Sequence, residues 1–265
     1  METALVAIAK DEDAYIGEWV DYHLKLGFDR IFIYQNNWRA DAARLGGPHV
    51  CLIEFDGEAK QLEAYNDFLQ NRSSGYDWCA MFDVDEFLVI KQEGSAYMNL
   101  HEWLKGFADF SAIGVNWRLF GDSGLEHVEN ANTSLVHRFT RCGSRQNPHI
   151  KTIVNLAKCR ADGCISELAM ADPHSTKQSL GTDFTISTDK SHFIHGPLNR
   201  DFDPTVQLNH YYCKTREEFV NSKMGRGRAD LTKANPDYIY ALASFDVHNE
   251  NAVEDLTAFN FLQQS

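Results

Sequence analysis

One stretch of the sequence combines carboxylates and apolar residues in a way that favours metal chemistry. In Met81-Phe-Asp-Val-Asp-Glu-Phe87, three acidic side chains stand between two apolar runs. Burying such carboxylates is costly unless a cation compensates them. In an extended strand Asp83 and Asp85 point to the same side, whereas Glu86 points elsewhere. The pattern predicts a Mg²⁺ or Mn²⁺ site that bridges phosphate oxygens, with a solvated acidic strand end as the alternative.

The residues after the first apolar run exclude two common nucleotide-binding motifs. The segment Ala9-Lys-Asp-Glu-Asp13 contains no glycine, so it is neither a Gly-rich dinucleotide fingerprint nor a P-loop. A nicotinamide-dependent enzyme and a P-loop kinase are therefore disfavoured. The remaining polar candidates at strand ends, each of which could equally be a loop or cap residue, are Glu12, Asn36, Asn37 and Gln61.

Strands and helices alternate in the first half of the chain. Apolar residues at 3–9 predict a strand, and a 3.6-residue apolar period then predicts a helix that ends at Gly27. A second strand at 30–34 completes a βαβ unit. Further strands are predicted at 50–55 and 78–84, the latter running on into 85–90, with a helix around Leu62 to Leu69 between them. This alternation predicts a mostly parallel sheet with helices on both faces.

The second half of the chain is richer in strand-like runs. These runs, at 112–120, 134–140, 151–157 and 184–187, predict antiparallel additions to the sheet. A helix is expected from Thr215, because Thr215-Arg-Glu-Glu218 fits a capping box and Gly225 follows the last turn. An amphipathic segment at 252–262 is expected to pack back on the body. The sequence contains no internal repeat and no low-complexity linker, so we expect one α/β domain over 1–265.

Composition narrows the classes of protein further. The 265 residues are 43% apolar and 24% charged with a net charge of −13, which is typical of a globular enzyme and argues against a generic nucleic-acid binder. No window has the apolar length of a membrane span, and the N-terminus lacks a basic signal-peptide region, so we expect a cytoplasmic location, with a membrane-peripheral one as the alternative. We expect the six cysteines to be free thiols; a zinc or disulfide clip from Cys142, Cys159, Cys164 and His174 is the alternative.

Five ordered motifs resemble glycosyltransferases of the family 2 and family 92 type. They are Ala7-Ile-Ala-Lys-Asp-Glu12, Gln61-Leu-Glu-Ala-Tyr-Asn66, Phe82-Asp-Val-Asp-Glu-Phe87, Asn116-Trp-Arg-Leu-Phe-Gly121 and His210-Tyr-Tyr-Cys-Lys-Thr-Arg-Glu-Glu-Phe219. The resemblance implies a GT-A-like, Rossmann-type sheet flanked by helices. It also implies an inverting, Mn²⁺- or Mg²⁺-dependent transfer of a sugar from a nucleoside diphosphate sugar, for example UDP-galactose, to a glycan or glycolipid hydroxyl. In this view 1–125 bind donor and metal, and 126–265 form the acceptor side.

The resemblance assigns roles to individual residues of the donor site. Asp83 and Asp85 match the Asp-x-Asp pair that holds ribose and metal, and His210 matches a late histidine that can complete the metal shell; a structural histidine is the alternative. The residues that fall where such enzymes contact the nucleoside are Lys10, Glu12, Asn36 and Gln61.

The cations of Lys223-Met-Gly-Arg-Gly-Arg228 are conspicuous in an acidic chain. Lys223 and Arg226 are expected to stabilise the leaving diphosphate, with a solvated helix end as the alternative.

The transfer also needs a base and an acceptor surface. One carboxylate must take the acceptor proton, and the candidates are Asp122, at a strand end, and Glu86, beside the acidic pair. Similar sequences often carry Ser at the position of Asp122, which leaves the choice open. Trp117 and Arg118 are expected to bind the acceptor, since sugars stack on indole rings; core packing of Trp117 is the alternative. Other functions that use the same carboxylates are phosphohydrolysis and nucleotidyl transfer, and a non-enzyme alternative is a carbohydrate-binding module.

Overall fold

The first half of the molecule alternates strands and helices as predicted. The computed structural model describes residues 1–41, 45, 47–91, 97–128 and 134–264. The elements of this half are β1 (Thr3–Ala9), α1 (Ile16–Leu26), β2 (Arg30–Gln35), β3 (Val50–Glu54), α2 (Gln61–Asp67) with its π-helical continuation Phe68–Arg72, β4 (Trp78–Met81), β5 (Glu86–Ile90), α3 (Leu100–Lys105) and β6 (Ala112–Leu119).

The second half adds shorter elements. They are α4 (Leu135–Arg138), β7 (Arg141–Cys142), β8 (Asn147–Asn155), α5 (Leu156–Ala161), the 3₁₀ turns Ile165–Glu167 and Lys177–Ser179, β9 (Thr185–Ser187), β10 (Phe193–Ile194), β11 (Val206–His210), α6 (Arg216–Glu218) with its π-helical continuation Phe219–Met224, α7 (Leu242–His248), β12 (Val253–Glu254) and α8 (Thr257–Gln263).

Short-range signals account for the opening βαβ unit. All residues of β1 are buried, as expected of a strand covered on both faces. Helix α1 ends because Gly27 adopts a left-handed conformation with φ of 118°, and its N–H donates to the carbonyls of His23 and Leu24. Glycine takes this conformation at little cost. The chain then returns as β2, which pairs in parallel with β1.

One mixed sheet organises the described residues. Its order is β10-β9-β6-β8-β4-β1-β2-β3, and β11 adds to it by pairing with β5 and β6. The strands β4, β1, β2 and β3 are parallel, whereas β8 lies antiparallel to both β4 and β6. The predicted α/β class, a mostly parallel sheet with antiparallel strands in the C-terminal half, is confirmed.

The predicted strand at 134–140 is wrong, because this segment contains helix α4. Ser134 caps the helix by accepting a hydrogen bond from the N–H of His137. The carboxylate of Glu18, from α1, accepts from the N–H of Leu135 at 2.6 Å. A serine cap and a carboxylate at a helix N-terminus both satisfy backbone donors there, which a strand period does not reveal.

The acidic motif is a turn and not a continuous strand. Strand β4 ends at Met81, and β5 begins at Glu86 and pairs antiparallel with β11. The turn is closed twice: the N–H of Glu86 donates to the carbonyl of Asp83 at 3.0 Å, and the N–H of Asp83 donates to Oε2 of Glu86 at 2.9 Å. The prediction that Asp83 and Asp85 share one side of an extended strand is therefore wrong.

Apolar residues cover both faces of the sheet. Leu5, Ala7 and Ala9 of β1 belong to a large core on one side, while Ala4 and Val6 belong to a second core on the other. Ala258 and Phe261 of α8 join the large core, so the C-terminal segment packs back on the body as predicted. Among the described residues, no helix has the length and apolarity needed to span a membrane.

A buried ion pair fixes the helix that precedes Lys223. Glu218 in α6 accepts hydrogen bonds from Arg138 of α4 at 2.7 and 3.0 Å and from the hydroxyl of Tyr15. The same carboxylate closes the predicted capping box with Thr215. Burial would raise the pKa of Glu218, but the hydrogen bonds from Arg138, Tyr15 and Thr215 lower it to about 2.

We expect Arg138→Met to lower the free energy of unfolding by about 3–5 kcal/mol at pH 7, because it leaves a buried carboxylate without its cation. The pKa of Glu218 is lower in the folded state than in the unfolded state. The ionised carboxylate therefore stabilises the fold above the unfolded pKa of 4.5, and this stabilisation is lost as the pH falls toward 2. The difference between wild type and variant should therefore shrink from pH 7 to pH 3 in urea denaturation. The exposed Arg216→Met is the control, and an equal loss there would contradict the assignment.

Candidate active site

A cleft of about 1170 Å³, measured with its open mouth, lies at the carboxyl ends of β1 and β4. In open parallel sheets this edge is where ligands bind. The polar and aromatic side chains that line the cleft are Lys10, Glu12, Gln61, Asp83, Asp85, Trp117, His149, His174, His210, Tyr212, Lys223, Arg226, Arg228, Asp230, Tyr240, Ser244 and His248.

Asp83 is held at the floor of the cleft by three donors. Its Oδ1 accepts from Nε2 of Gln61 at 2.7 Å and from the hydroxyl of Tyr65 at 3.2 Å. Its Oδ2 accepts from Nζ of Lys151 at 2.9 Å. Burial would raise the pKa of Asp83, but the Lys151 ammonium lowers it below its ordinary value. The side chain stays 32% exposed, so a ligand can still reach it.

Asp85 lies deeper and is also paired with a lysine. Its Oδ2 accepts from Nζ of Lys223 at 2.9 Å, and Nε2 of His210 lies 3.4 Å from its Oδ1. The effect of burial on the pKa of Asp85 is outweighed by Lys223 and His210, which hold it well below the ordinary value. Burial lowers the pKa of His210, so this imidazole is neutral at pH 7.

The side chains predicted to bind a metal lie together but do not form a metal centre in this arrangement. In the ranges that the structure describes, no group of three or more His, Cys, Asp or Glu side chains could hold a metal ion. Each aspartate has one oxygen on a lysine ammonium, and the other faces Gln61 or His210. The Mn²⁺ or Mg²⁺ ion on Asp83, Asp85 and His210 stays a prediction, which this donor set does not fit.

Cations from distant segments meet beside the first strand. Nη1 of Arg226 donates to the carbonyl of Lys10 at 2.9 Å and also pairs with Glu12. Nζ of Lys214 lies 3.9 Å from Glu12. Nζ of Lys10 donates to the hydroxyl of Tyr238 at 3.0 Å. No carboxylate within 4 Å of this ammonium is found among the described residues, so Lys10 is the cation best placed to receive an anionic ligand.

The cleft as a whole carries a positive excess. The lining cations Lys10, Lys223, Arg226 and Arg228 are matched in number by the lining carboxylates Glu12, Asp83, Asp85 and Asp230. Two further lysines, Lys151 and Lys214, and one further carboxylate, Glu86, are buried against this lining, so the cations exceed the carboxylates by one. A pocket with this excess suits a polyanion such as a diphosphate, although the whole chain is acidic.

The two carboxylates predicted as bases do not line this cleft. Glu86 is fully buried, its Oε1 has no hydrogen-bond partner among the described residues, and burial raises its pKa well above the ordinary value. Asp122 lies in a separate surface pocket with Arg216. There it accepts from Nδ2 of Asn249 at 2.8 Å and from Nδ2 of Asn251 at 3.1 Å.

The remaining predicted residues divide between the cleft and its surroundings. Trp117 lines the cleft, with its ring 4.3 Å from the ring of His210. Arg118 does not line it; its Nε donates to Sγ of Cys142. Asn36 is buried outside the lining, and its Nδ2 donates to the carbonyls of Phe55 and Gly57, which is a structural role.

Sequence reasoning missed several residues of the cleft. Lys151 is one of them, although a lysine within the run Lys151-Thr-Ile-Val154 already requires a buried partner. His248 and Tyr240 lie in a polar stretch that carries no motif, so no local signal identifies them. Lys214 stands within a resembling motif, and its positive φ of 55° is visible only in the structure.

Comparison with known proteins gives one curated relative and several distant structures. No protein-family model matches the chain. A glycosyltransferase family 92 protein of Ricinus communis is 27% identical over 140 residues, which are 48% of this chain and 24% of the relative. The chain thus spans about a quarter of the length of that relative.

The solved structures that match are much less similar. TarS of S. aureus matches with a TM-score of 0.36 and 10% identity, over 62% of this chain and 49% of TarS. The galactosyltransferase LgtC, solved in complex with donor and acceptor sugar analogs, matches with a TM-score of 0.33 and 13% identity, over 79% of this chain and 87% of LgtC. TM-scores this low say nothing about function. The resemblance to family 92 glycosyltransferases that the motifs indicate is confirmed by the Ricinus communis relative, over about half of this chain.

Proposed function

We propose that this chain is a glycosyltransferase that moves a sugar, with inversion, from a nucleoside diphosphate sugar to a hydroxyl of a glycan or glycolipid. The observation that carries the proposal is the cleft at the carboxyl ends of β1 and β4, where Lys151 and Lys223 pair with Asp83 and Asp85. Lys10 and Arg226 line the same cleft. The likeness to a family 92 glycosyltransferase protein supports it. A UDP-linked sugar, for example UDP-galactose, is the donor that the resemblance implies.

The donor would lie along the wall formed by Lys10, Gln61, Asp83 and Arg226. The carboxylate of Asp83 and the amide oxygen of Gln61 offer acceptors for ribose hydroxyls, and both side chains are held in place by their mutual hydrogen bond of 2.7 Å. Lys10 and Arg226 would bind the diphosphate through charge-assisted hydrogen bonds. Negative charge grows on the diphosphate as the glycosyl bond breaks, so these same cations stabilise the transition state.

The acceptor would lie against the opposite wall, which is aromatic. The ring of Trp117 lies 5.2 Å from that of His149 and 5.0 Å from that of His174. His248 packs on Tyr212 with ring centroids 4.3 Å apart. Flat rings of this kind stack on the apolar faces of sugars, and their polar edges bind hydroxyls.

We propose that His248 takes the acceptor proton. Its Nδ1 lies 2.7 Å from the carbonyl oxygen of Ser244, which only accepts, so Nδ1 carries the proton and Nε2 keeps its lone pair. His174 is bonded in the same way to the carbonyl of Ile150, but burial and the nearby Lys151 lower its pKa to about 4, which makes it a weak base. As the acceptor oxygen attacks the anomeric carbon, its proton passes to Nε2 of His248 and the nucleoside diphosphate leaves.

Replacing Lys10 tests the donor site. We expect Lys10→Met to weaken UDP binding about 10- to 100-fold, the loss for one hydrogen bond to a charged group. Isothermal titration of UDP into wild type and variant measures this. Lys105→Met is the matched control, because Lys105 is exposed and pairs with Glu102 on the surface. An unchanged affinity in Lys10→Met would place the diphosphate elsewhere.

Replacing His248 tests the base. We expect His248→Gln to lower kcat about 10²- to 10⁴-fold with UDP affinity unchanged, because the acceptor proton then has no base to receive it. His149→Gln, Asp122→Asn and Glu86→Gln are compared under the same conditions, and a similar loss of kcat in one of them would assign the base to that residue.

The products of the reaction separate the proposed function from the alternatives. Release of free sugar or pyrophosphate without an acceptor product would indicate a phosphohydrolase or a nucleotidyltransferase, and sugar binding without nucleotide binding would indicate a carbohydrate-binding module.

A further inference from the structure

Two lysine ammonium groups occupy the positions beside Asp83 and Asp85 where a divalent cation would be expected. Nζ of Lys151 and Nζ of Lys223 each lie 2.9 Å from an aspartate Oδ2. Lys151 is completely buried, and the side chain of Lys223 is 8% exposed. Each aspartate thus already has its compensating charge within the protein.

Lys223 has further partners that hold its ammonium group in place. Its Nζ donates to the carbonyl of Tyr212 at 3.0 Å and lies 3.8 Å from the centroid of the Tyr212 ring. The ring of Tyr240 lies 5.4 Å away on another side. A carboxylate, a carbonyl and two aromatic faces together stabilise an ammonium, and they give Lys223 one position.

A metal ion at Asp85 would compete with this ammonium. A Mg²⁺ ion binds carboxylate oxygens at about 2.0–2.1 Å, so on Asp85 it would lie close to the Lys223 ammonium, which is 2.9 Å from Oδ2 of the same carboxylate. Two like charges this close in a buried site repel each other, which favours displacement of the ammonium. Among the described residues that line the cleft, each of the other carboxylates already has a cation beside it: Glu12 has Arg226 and Lys214, Asp83 has Lys151, and Asp230 has Arg228. The displaced ammonium would lose its partner in a buried position, which is costly.

We propose that this chain binds its nucleotide donor without a divalent metal, with Lys223 and Lys151 supplying the positive charge beside Asp85 and Asp83. The inference rests on the proposed function, and it departs from the metal dependence that the family resemblance implies. Lys10 and Arg226 remain available for the diphosphate.

Isothermal titration of UDP into the full chain, in EDTA and in Mn²⁺, tests the inference. We expect the two dissociation constants to agree within about threefold. Titration of Mn²⁺ followed by the electron paramagnetic resonance of the free ion should show no tight site on the wild-type chain. UDP binding that requires Mn²⁺, or a tight Mn²⁺ site, would overturn the inference and leave the proposed function standing. Absence of UDP binding in both buffers would overturn both.

Variants at Lys223 sharpen the test. Lys223→Met should weaken UDP binding in EDTA by tenfold or more and should create a Mn²⁺ site, because Asp85 is then free to bind a metal. Lys223→Arg keeps the charge and should retain binding in EDTA, which separates a loss of charge from a loss of fold. Lys105→Met, on the surface, is the control and should match wild type. Equal UDP binding by Lys223→Met and wild type in EDTA would overturn the inference.

Discussion

The cost of removing the carboxylates of half-buried Asp83 and buried Asp85 from water governs the arrangement of the whole cleft. A carboxylate that loses water is tolerated where a cation and hydrogen-bond donors replace it. The chain supplies these groups from positions far away in sequence: Lys151 from β8 and Lys223 from the π-helical turns after α6. The antiparallel strand β8 stands between β4 and β6 in the sheet, and this place brings Lys151 beside the acidic turn.

The position of Lys223 beside Asp85 depends in turn on the packing of α6. Lys223 can reach Asp85 only if its helix is held, and the pairing of Glu218 with Arg138 holds it. Arg138 in turn belongs to α4, whose N-terminus is satisfied by Glu18 of α1. A series of polar contacts thus connects the first helix of the chain to the cation beside the acidic turn. Each contact is buried or half-buried, so each is sensitive to the loss of one partner.

Local patterns predicted the parts of the fold that short-range physics determines. The βαβ unit, the capping box at Thr215 and the packing of the C-terminal segment all follow from apolar periodicity and cap residues. The acidic turn could not be predicted in this way, because strand β5 pairs with β11, more than a hundred residues later. Six of the predicted donor-site and metal residues lie in the quoted motifs and line the cleft, namely Lys10, Glu12, Gln61, Asp83, Asp85 and His210. Lys151, which pairs with Asp83, lies outside every motif, so its place beside the acidic turn could not be predicted. Asp122 is a candidate base because it follows a strand; its hydrogen bonds with Asn249 and Asn251, near the end of the chain, could not be predicted from that pattern.

The two walls of the cleft differ in the kind of ligand group that they can bind, and this difference indicates where the donor and the acceptor of the proposed reaction would lie. The wall with Lys10 and Arg226 is cationic and continues from the end of β1, so it suits the diphosphate. The part of the cleft with Trp117 and His248 is aromatic and carries imidazoles, which suit a sugar better than a diphosphate. The proposed inversion requires the acceptor oxygen to attack the anomeric carbon from the side opposite the leaving diphosphate. A donor on the cationic part and an acceptor on the aromatic part of one cleft are compatible with this requirement, and Asp83 and Asp85, which line the same cleft, are already paired with lysines.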